Sequence, residues 1–310
     1  MHKTSTFTTD GKEQFRNDYE VTALLQKGFN AQVIDDLVAY ILNEIPTAKE
    51  KPIKLLDLCC GDGGITHALL IKLQEAGIQV EKIVGYDIST EQIKVATEKH
   101  SSAEPRLEFK LQNIATMTDQ AEYDVVICLF GLHWLPNINE VAEKIHNALK
   151  PDGKLMYFVP LEKTKLFALR TKLVNSPDWQ AYFTDYDFSP FRSDPHEYFQ
   201  AFTKLFQPEN ADGIDGMQTV EFTEDRFKIF LSSWMQELRH LDNAADKQRY
   251  LDELVASLPP KDGLCHDVET VEEPTPKIYF HERFSWFHGA KKPKKSAQLD
   301  EVSNMRLTIN

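Results

Sequence analysis

The sequence has no long hydrophobic run. No stretch of its 310 residues approaches the roughly 18 uninterrupted apolar residues that a membrane-spanning helix needs. Residues 1–19 are polar and do not resemble a secretory signal, which requires an apolar segment. We therefore expect a protein with no membrane segment and a cytoplasmic location.

Basic residues are also few. The chain has 35 Lys and Arg against 48 Asp and Glu, which gives a net charge of −13. A surface of that sign repels phosphate backbones, so we expect no nucleic-acid partner. The exception is the short basic run Lys291–Lys295, which we interpret as a solvated chain end.

Motifs for metal ions and disulfides are missing. The ten histidines show no HxxxH or HxH spacing, and the four cysteines form no CxxC pair. The cysteines are Cys59, Cys60, Cys128 and Cys265. We therefore expect no dedicated metal site and free, mostly buried thiols in a reducing compartment.

Between residues 53 and 160, short apolar runs alternate with amphipathic helical patterns. The apolar runs predict strands at Ile53–Leu58, Lys82–Asp87, Leu107–Gln112, Tyr123–Leu129 and Gly153–Val159. The helical patterns cover Ala31–Ile45, Ile65–Glu75, Thr90–Lys99 and Ile138–Leu149. This alternation predicts an α/β fold, with a doubly wound, mostly parallel sheet between two layers of helices.

The pattern changes after Pro160. Helices are predicted at Lys163–Val174, Asp194–Phe206, Phe227–Leu238 and Ala245–Leu258, and strands at Gln218–Phe222 and Lys277–Phe287. We expect a core domain at 15–160 and a helical lid inserted after strand five and between the last strands, at 161–195 and 224–260. Residues 196–223 and 275–288 would complete the core, and 289–310 would form a flexible tail.

A glycine-rich turn follows the first predicted strand. Gly61 and Gly63 allow the backbone to pass close to a ligand, at the sheet edge where open α/β folds bind their ligands. The next strand ends in Asp87, whose carboxylate can accept hydrogen bonds from ribose hydroxyls. Thr66 stands where a dinucleotide fingerprint has its third glycine, and Asp57 lies inside the first strand. Together these residues favour a nucleoside cofactor without a pyrophosphate.

The segment from Asp57 to Gly63 resembles the D-x-G-x-G-x-G motif of class I S-adenosylmethionine methyltransferases, with Cys59 at a usual glycine position. The resemblance covers roughly residues 15–160 and implies a Rossmann-like core and S-adenosyl-L-methionine as cofactor. Asn113 stands where the family often has Asp after the third strand. The residues implied to bind the cofactor are Asp57, Cys59, Gly61, Gly63, Asp87, Ile88, Asn113, Ile114 and Leu129.

The segment Leu129–Pro136 follows the fourth predicted strand and resembles the trans-aconitate and juvenile hormone acid methyltransferase group. Those enzymes methylate small carboxylic acids, and the resemblance implies that Gln26 and Trp134 hold the substrate carboxylate. A carboxylate is ionised at pH 7 and needs no general base. For a hydroxyl acceptor, His133 would be the base. We expect an O-methyltransferase that acts on a small organic acid and leave its oligomeric state open.

Three alternatives stay open. A methyltransferase that acts on an acyl group bound to a carrier protein would be favoured by a basic lid surface. A non-catalytic S-adenosylmethionine-binding protein would be favoured by the departures at Cys59 and Asn113. A nicotinamide oxidoreductase is the most distant alternative.

Overall fold

The computed structural model describes residues 33–135, 137–160, 165–184, 186, 195–209, 216–260, 268–271 and 277–293. Within these ranges, every helix is either too short or too polar to cross a bilayer. The described part of the chain forms one nine-stranded sheet with helices on both faces.

The strands of the sheet are β1 (Ile53–Leu58), β2 (Val80–Asp87), β3 (Leu107–Leu111), β4 (Tyr123–Leu129), β5 (Leu149–Pro160), β6 (Phe206–Pro208), β7 (Gly216–Phe222), β8 (Val268–Val271) and β9 (Lys277–Lys291). Seven of them form a central path in the order β3-β2-β1-β4-β5-β9-β6, and β7 and β8 pair with the first half of β9. Strands β1 to β5 run parallel, whereas β9 is antiparallel to its neighbours.

Helices cover both faces, as the alternating pattern predicts. They are α1 (described over 33–44), α2 (Gly64–Glu75), α3 (Thr90–Ala96), α4 (Ile138–Ala148), α5 (Lys165–Val174), α6 (Pro195–Leu205), α7 (Glu224–Trp234) and α8 (Ala244–Ala256). Alternate strand residues enter different cores: Leu55 packs in the core with α1 and α2, and Leu56 in the core with α4 and α6. Burial on both faces explains the continuous apolar runs of these strands.

The predicted strands Ile53–Leu58 and Tyr123–Leu129 agree with the structure at both ends. Two short strands, β6 and β8, were not predicted. Each has three or four residues and exists only as a partner of β9, so no local period marks it. Strand β9 continues to Lys291, four residues beyond its predicted end.

The basic run after Gly289 begins as structure, not as a solvated end. Lys291 Nζ donates to the Leu149 carbonyl. The Lys292 backbone N–H donates to the Leu205 carbonyl at 3.0 Å, and its Nζ donates to the Thr203 carbonyl at 2.7 Å. The two bonds from Lys292 satisfy carbonyls at the end of α6, where cations are favoured. The interpretation of Lys291 and Lys292 as a solvated end was therefore wrong, and residues 294–310 lie outside the described chain.

The lid has its own apolar core. Side chains from α5, α7 and α8 pack there with residues of β7, β8 and the first half of β9. The residues of β7 and of the first half of β9 were expected to complete the main core, but Phe222, Ile278 and Phe280 pack with the lid helices. Trp179 is fully buried, and its indole N–H donates to Glu253 at 2.6 Å. In the described part of the lid, most aromatic side chains therefore pack within the lid itself.

A buried ion pair joins α5 to the segment after α7. The Arg170 guanidinium donates through Nε and Nη2 to the two carboxylate oxygens of Glu237, both at 2.6 Å, and both side chains are almost fully buried. Because Glu237 already occupies the charged end of Arg170, this guanidinium is a structural group of the lid and not a partner for an acidic substrate.

We expect Glu237→Gln to lower the free energy of unfolding by about 3–5 kcal/mol, because it leaves a buried guanidinium without its counter-charge. Urea denaturation measures this loss. The double variant Arg170→Met/Glu237→Leu should recover most of it, since no buried charge remains. As a control, Glu98→Gln removes an exposed partner of Lys94 and should cost less than about 1 kcal/mol. Equal losses for Glu237→Gln and the control would contradict the assignment.

Candidate active site

The turn between β1 and α2 has an unusual backbone. Cys59, Gly61 and Gly63 all have positive φ, at 61°, 56° and 76°. A Cβ at Gly63 would lie 2.5 Å from the ring of Phe109, closer than atoms can pack. Gly63 is therefore required both for its φ and for its space, whereas Cys59 adopts a conformation that glycine would adopt more easily.

Asp87, at the end of β2, holds this turn. Its carboxylate accepts a hydrogen bond from the Gly61 backbone N–H at 3.0 Å and another from the Ser89 N–H at 2.8 Å. Each carboxylate oxygen can accept more than one hydrogen bond. Asp87 can therefore hold the turn and still receive two ribose hydroxyls.

Asp57 lies behind the turn and is only 3% exposed. The Thr66 hydroxyl donates to its carboxylate at 2.6 Å. Burial raises the pKa of Asp57 to about 7, the Thr66 hydrogen bond lowers it, and the nearby Asp87 charge raises it. Thr66, one turn into α2, was noted in the sequence only as a missing glycine, and its bond to Asp57 was not foreseen.

Apolar side chains lie exposed at the carboxyl edge next to Asp87. Ile88 is 71% exposed and Leu111 is 55% exposed, and Leu111 pairs with Asp87 in the β2–β3 register. Large apolar groups at that exposure suit a planar base that would cover them. Leu111 was missed by the sequence argument, although its position at the end of β3 would have indicated it.

The side chains of Asn113 and Ile114, which follow β3, make contacts within the protein itself. The Asn113 side-chain oxygen accepts from the Ala115 N–H at 2.9 Å and so caps a short 3₁₀ turn. The Ile114 side chain is 3% exposed and packs in the core with α4 and α6. A contact between Ile114 and a cofactor would therefore involve its backbone.

In the loop after β4, His133 is buried and Trp134 is exposed. Leu129 is buried, and Phe130 follows it with a positive φ of 60°, which is strained for a bulky residue. His133 is 6% exposed, and burial lowers its pKa to about 3. Trp134 is 37% exposed, with its ring 5.0 Å from that of His133. Among the described residues 130–135 of this loop, Trp134 is thus the most exposed to a ligand.

Gln26 lies outside the described residues. Over the part of the chain that the structure describes, no group of three or more His, Cys, Asp or Glu side chains is arranged to hold a metal ion.

Comparison with known proteins identifies the family. A family model described as a methyltransferase domain matches residues 28–209, more than half of the chain. The chain belongs to this family. It is a class I S-adenosylmethionine-dependent methyltransferase, and S-adenosyl-L-methionine is its cofactor. The expected fold class is confirmed.

Similar proteins cover only part of the methyltransferase. A demethylmenaquinone methyltransferase of Lactobacillus johnsonii is 34% identical over 32% of this chain and 41% of its own length. A malonyl-[acyl-carrier protein] O-methyltransferase of Priestia megaterium is 26% identical over 47% of this chain and 49% of its own length. The chain thus spans about half the length, or less, of these relatives.

A solved structure from Bacillus halodurans, described as a methyltransferase, has a TM-score of 0.52 and 17% identity over 82% of this chain and 99% of its own chain. At that identity the likeness concerns the fold alone.

The residues at the carboxyl edge of the sheet fit S-adenosyl-L-methionine. The methyl donor supplies an activated methyl group on a sulfonium, and needs space near the turn, acceptors for its ribose and a surface for its adenine. Gly61 leaves open space at the turn, Asp87 offers carboxylate oxygens, and Ile88 and Leu111 offer exposed apolar surface.

Gly63→Ala should weaken binding of S-adenosylhomocysteine at least about tenfold, because the new Cβ displaces Phe109 and the turn. Gly77 is a matched control: its φ of 77° is close to the 76° of Gly63, but a Cβ there meets nothing within 4 Å. Both variants should lose roughly 1–2 kcal/mol of stability for the positive φ, and Gly63→Ala a further 1–3 kcal/mol, roughly, for overpacking. Calorimetry and urea denaturation measure the two effects. If Gly77→Ala weakened the ligand equally, the turn would not be the binding element.

Asp57→Asn should remove a pH dependence of stability. Between pH about 4 and 7 the folded protein holds a proton on Asp57 that the unfolded chain has released. The free energy of unfolding of the apo-protein therefore falls as pH rises through this window.

From pH 5 to 8, the wild type should lose roughly 2–3 kcal/mol more than Asp57→Asn. Thr66→Val removes the hydrogen bond that lowers the pKa, so its window should extend to higher pH. Identical pH profiles for wild type and Asp57→Asn would show that Asp57 is ionised throughout.

Proposed function

We propose that the enzyme transfers a methyl group from S-adenosylmethionine to a carboxylate oxygen of a small organic acid. The observation that carries this proposal is the exposed Trp134 at the carboxyl edge, one strand from the glycine turn. An indole N–H donates hydrogen bonds and accepts none, which suits an anionic oxygen. Gln26 and Trp134 would hold the carboxylate, as the family resemblance implies.

The state of His133 supports a carboxylate acceptor over a hydroxyl. A base that removes a hydroxyl proton becomes imidazolium during the reaction. Burial disfavours the imidazolium form of His133 and lowers the pKa of this side chain to about 3. A carboxylate arrives ionised and asks for no proton transfer, so the enzyme has only to align the acceptor oxygen with the methyl group and exclude water.

A second candidate is a carboxylate carried on an acyl carrier protein. Similarity to malonyl-[acyl-carrier protein] O-methyltransferases of two bacteria favours it. An acidic carrier would need a basic surface on the lid. Over residues 165–184 and 224–260 the lid has equal numbers of acidic and basic side chains, which favours the free acid.

A screen of free carboxylic acids with labelled S-adenosylmethionine tests the function, with malonyl carrier protein as a parallel substrate. For the best acid, Trp134→Phe should lower kcat/KM by about tenfold to a hundredfold, because it removes a hydrogen bond to a charged oxygen worth about 1.5–3 kcal/mol. The control Tyr182→Phe changes an exposed lid aromatic and should leave kcat/KM unchanged. Full activity of Trp134→Phe would remove Trp134 from the site, and transfer only to the carrier-bound acid would select the second candidate.

A further inference from the structure

Two cysteines lie together beneath the glycine turn. Strands β1 and β4 are parallel neighbours, with Asp57 opposite Ile127. Cys59 comes two residues after Asp57 and Cys128 directly after Ile127, so the two cysteines lie close together at the carboxyl ends of these strands. Both pack in the core with α4 and α6, whereas Cys60 packs in the opposite core with α1 and α2. Cys59 and Cys128 therefore share a face, and the adjacent Cys60 does not.

Gly131 shows how closely the two sulfurs approach. A Cβ placed on Gly131 would lie 2.6 Å from Cys59 Sγ and 2.8 Å from Cys128 Sγ. Both sulfurs thus converge on one point beside the loop that follows β4. The thiol of Cys59 also interacts with that of Cys128, whose pKa is raised first by burial and then by Cys59.

The two thiols differ in access. Cys59 is half-buried, and Cys128 is fully buried. An oxidant from solvent therefore reaches Cys59 first, and Cys128 lies within reach to react second. This arrangement of an accessible thiol next to a second thiol is typical of redox-sensitive sites.

We propose that Cys59 and Cys128 form an oxidation site whose disulfide weakens binding of the methyl donor. This inference rests on the assignment of the turn as the donor site, and not on the identity of the acceptor. The oxidant is hydrogen peroxide. The Cys59 sulfur attacks one peroxide oxygen, the O–O bond breaks, and Cys59 sulfenic acid and one water form. The Cys128 sulfur then attacks the Cys59 sulfur, the S–O bond breaks as the S–S bond forms, and the hydroxyl leaves with the Cys128 proton as a second water.

The disulfide acts on the donor through the turn. Cys59 is the first residue with positive φ, and a disulfide would bring its Cβ to about 3.5–4.5 Å from that of Cys128. The positions of Gly61 and Gly63 follow that of Cys59, because only Cys60 and Asp62 separate these residues. Closure of the bond therefore displaces the Gly61 N–H from Asp87 and changes the surface that receives the donor.

Peroxide treatment followed by peptide mass analysis and calorimetry with S-adenosylhomocysteine tests the proposal. The full-length Cys60→Ala/Cys265→Ser variant serves as background, because it keeps only the two thiols in question. Oxidation should yield a peptide that links Cys59 to Cys128 and a Kd at least about tenfold higher, or about 1.4 kcal/mol. Dithiothreitol should restore the original Kd.

Adding Cys128→Ala to this background provides the control. Its Kd after the same peroxide treatment, measured without reduction, should equal its own value before treatment, since no intramolecular link can form. Absence of the linked peptide, a linked protein with unchanged Kd, or an equal loss of affinity in the control would each overturn the proposal. A failure of the carboxylate function would appear differently: the reduced protein would bind S-adenosylhomocysteine but methylate no acid.

Discussion

The turn that fits the methyl donor depends on the hydrogen bonds that the Asp87 carboxylate accepts. They join the turn after β1 to the beginning of the next helix, through Gly61 and Ser89. The turn holds Cys59 in a left-handed conformation that costs roughly 1–2 kcal/mol. A hydrogen bond to a charged acceptor contributes about 1.5–3 kcal/mol, which is enough to offset that cost. The same Asp87 carboxylate therefore stabilises the turn and can also bind a ribose.

The lid is stabilised independently of this site. Its aromatic side chains pack on each other, and its one buried ion pair among the described residues joins Arg170 to Glu237. Trp179 and Phe183 are buried in this core, whereas Tyr182 between them is exposed. Aromatic content alone would assign all three to a substrate pocket. Since two of the three are buried in the lid core, the aromatic composition of the lid gives little information about the methyl acceptor.

The strands at the centre of the sheet could be predicted because both of their faces are buried. Their apolar runs are nearly continuous, as at Ile53–Leu58 and Tyr123–Leu129. The peripheral strands β6 and β8 could not be predicted, since their pairing with β9 depends on tertiary packing. The same distinction applies to the site. Asp87 and the glycines carry a local motif, whereas the partners Thr66 for Asp57 and Phe109 for Gly63 lie in other elements.

The two departures from the family pattern have local structural explanations. Cys59 stands where glycine is usual, but Gly131 on the next loop leaves the space that its side chain needs: a Cβ at Gly131 would lie 2.4 Å from that of Cys59. Asn113 stands where Asp is common, and its side-chain oxygen performs the capping that a carboxylate would also perform. Since each change is accommodated by its surroundings, neither supports a loss of donor binding, and the case for a non-catalytic protein loses the observations on which it was based.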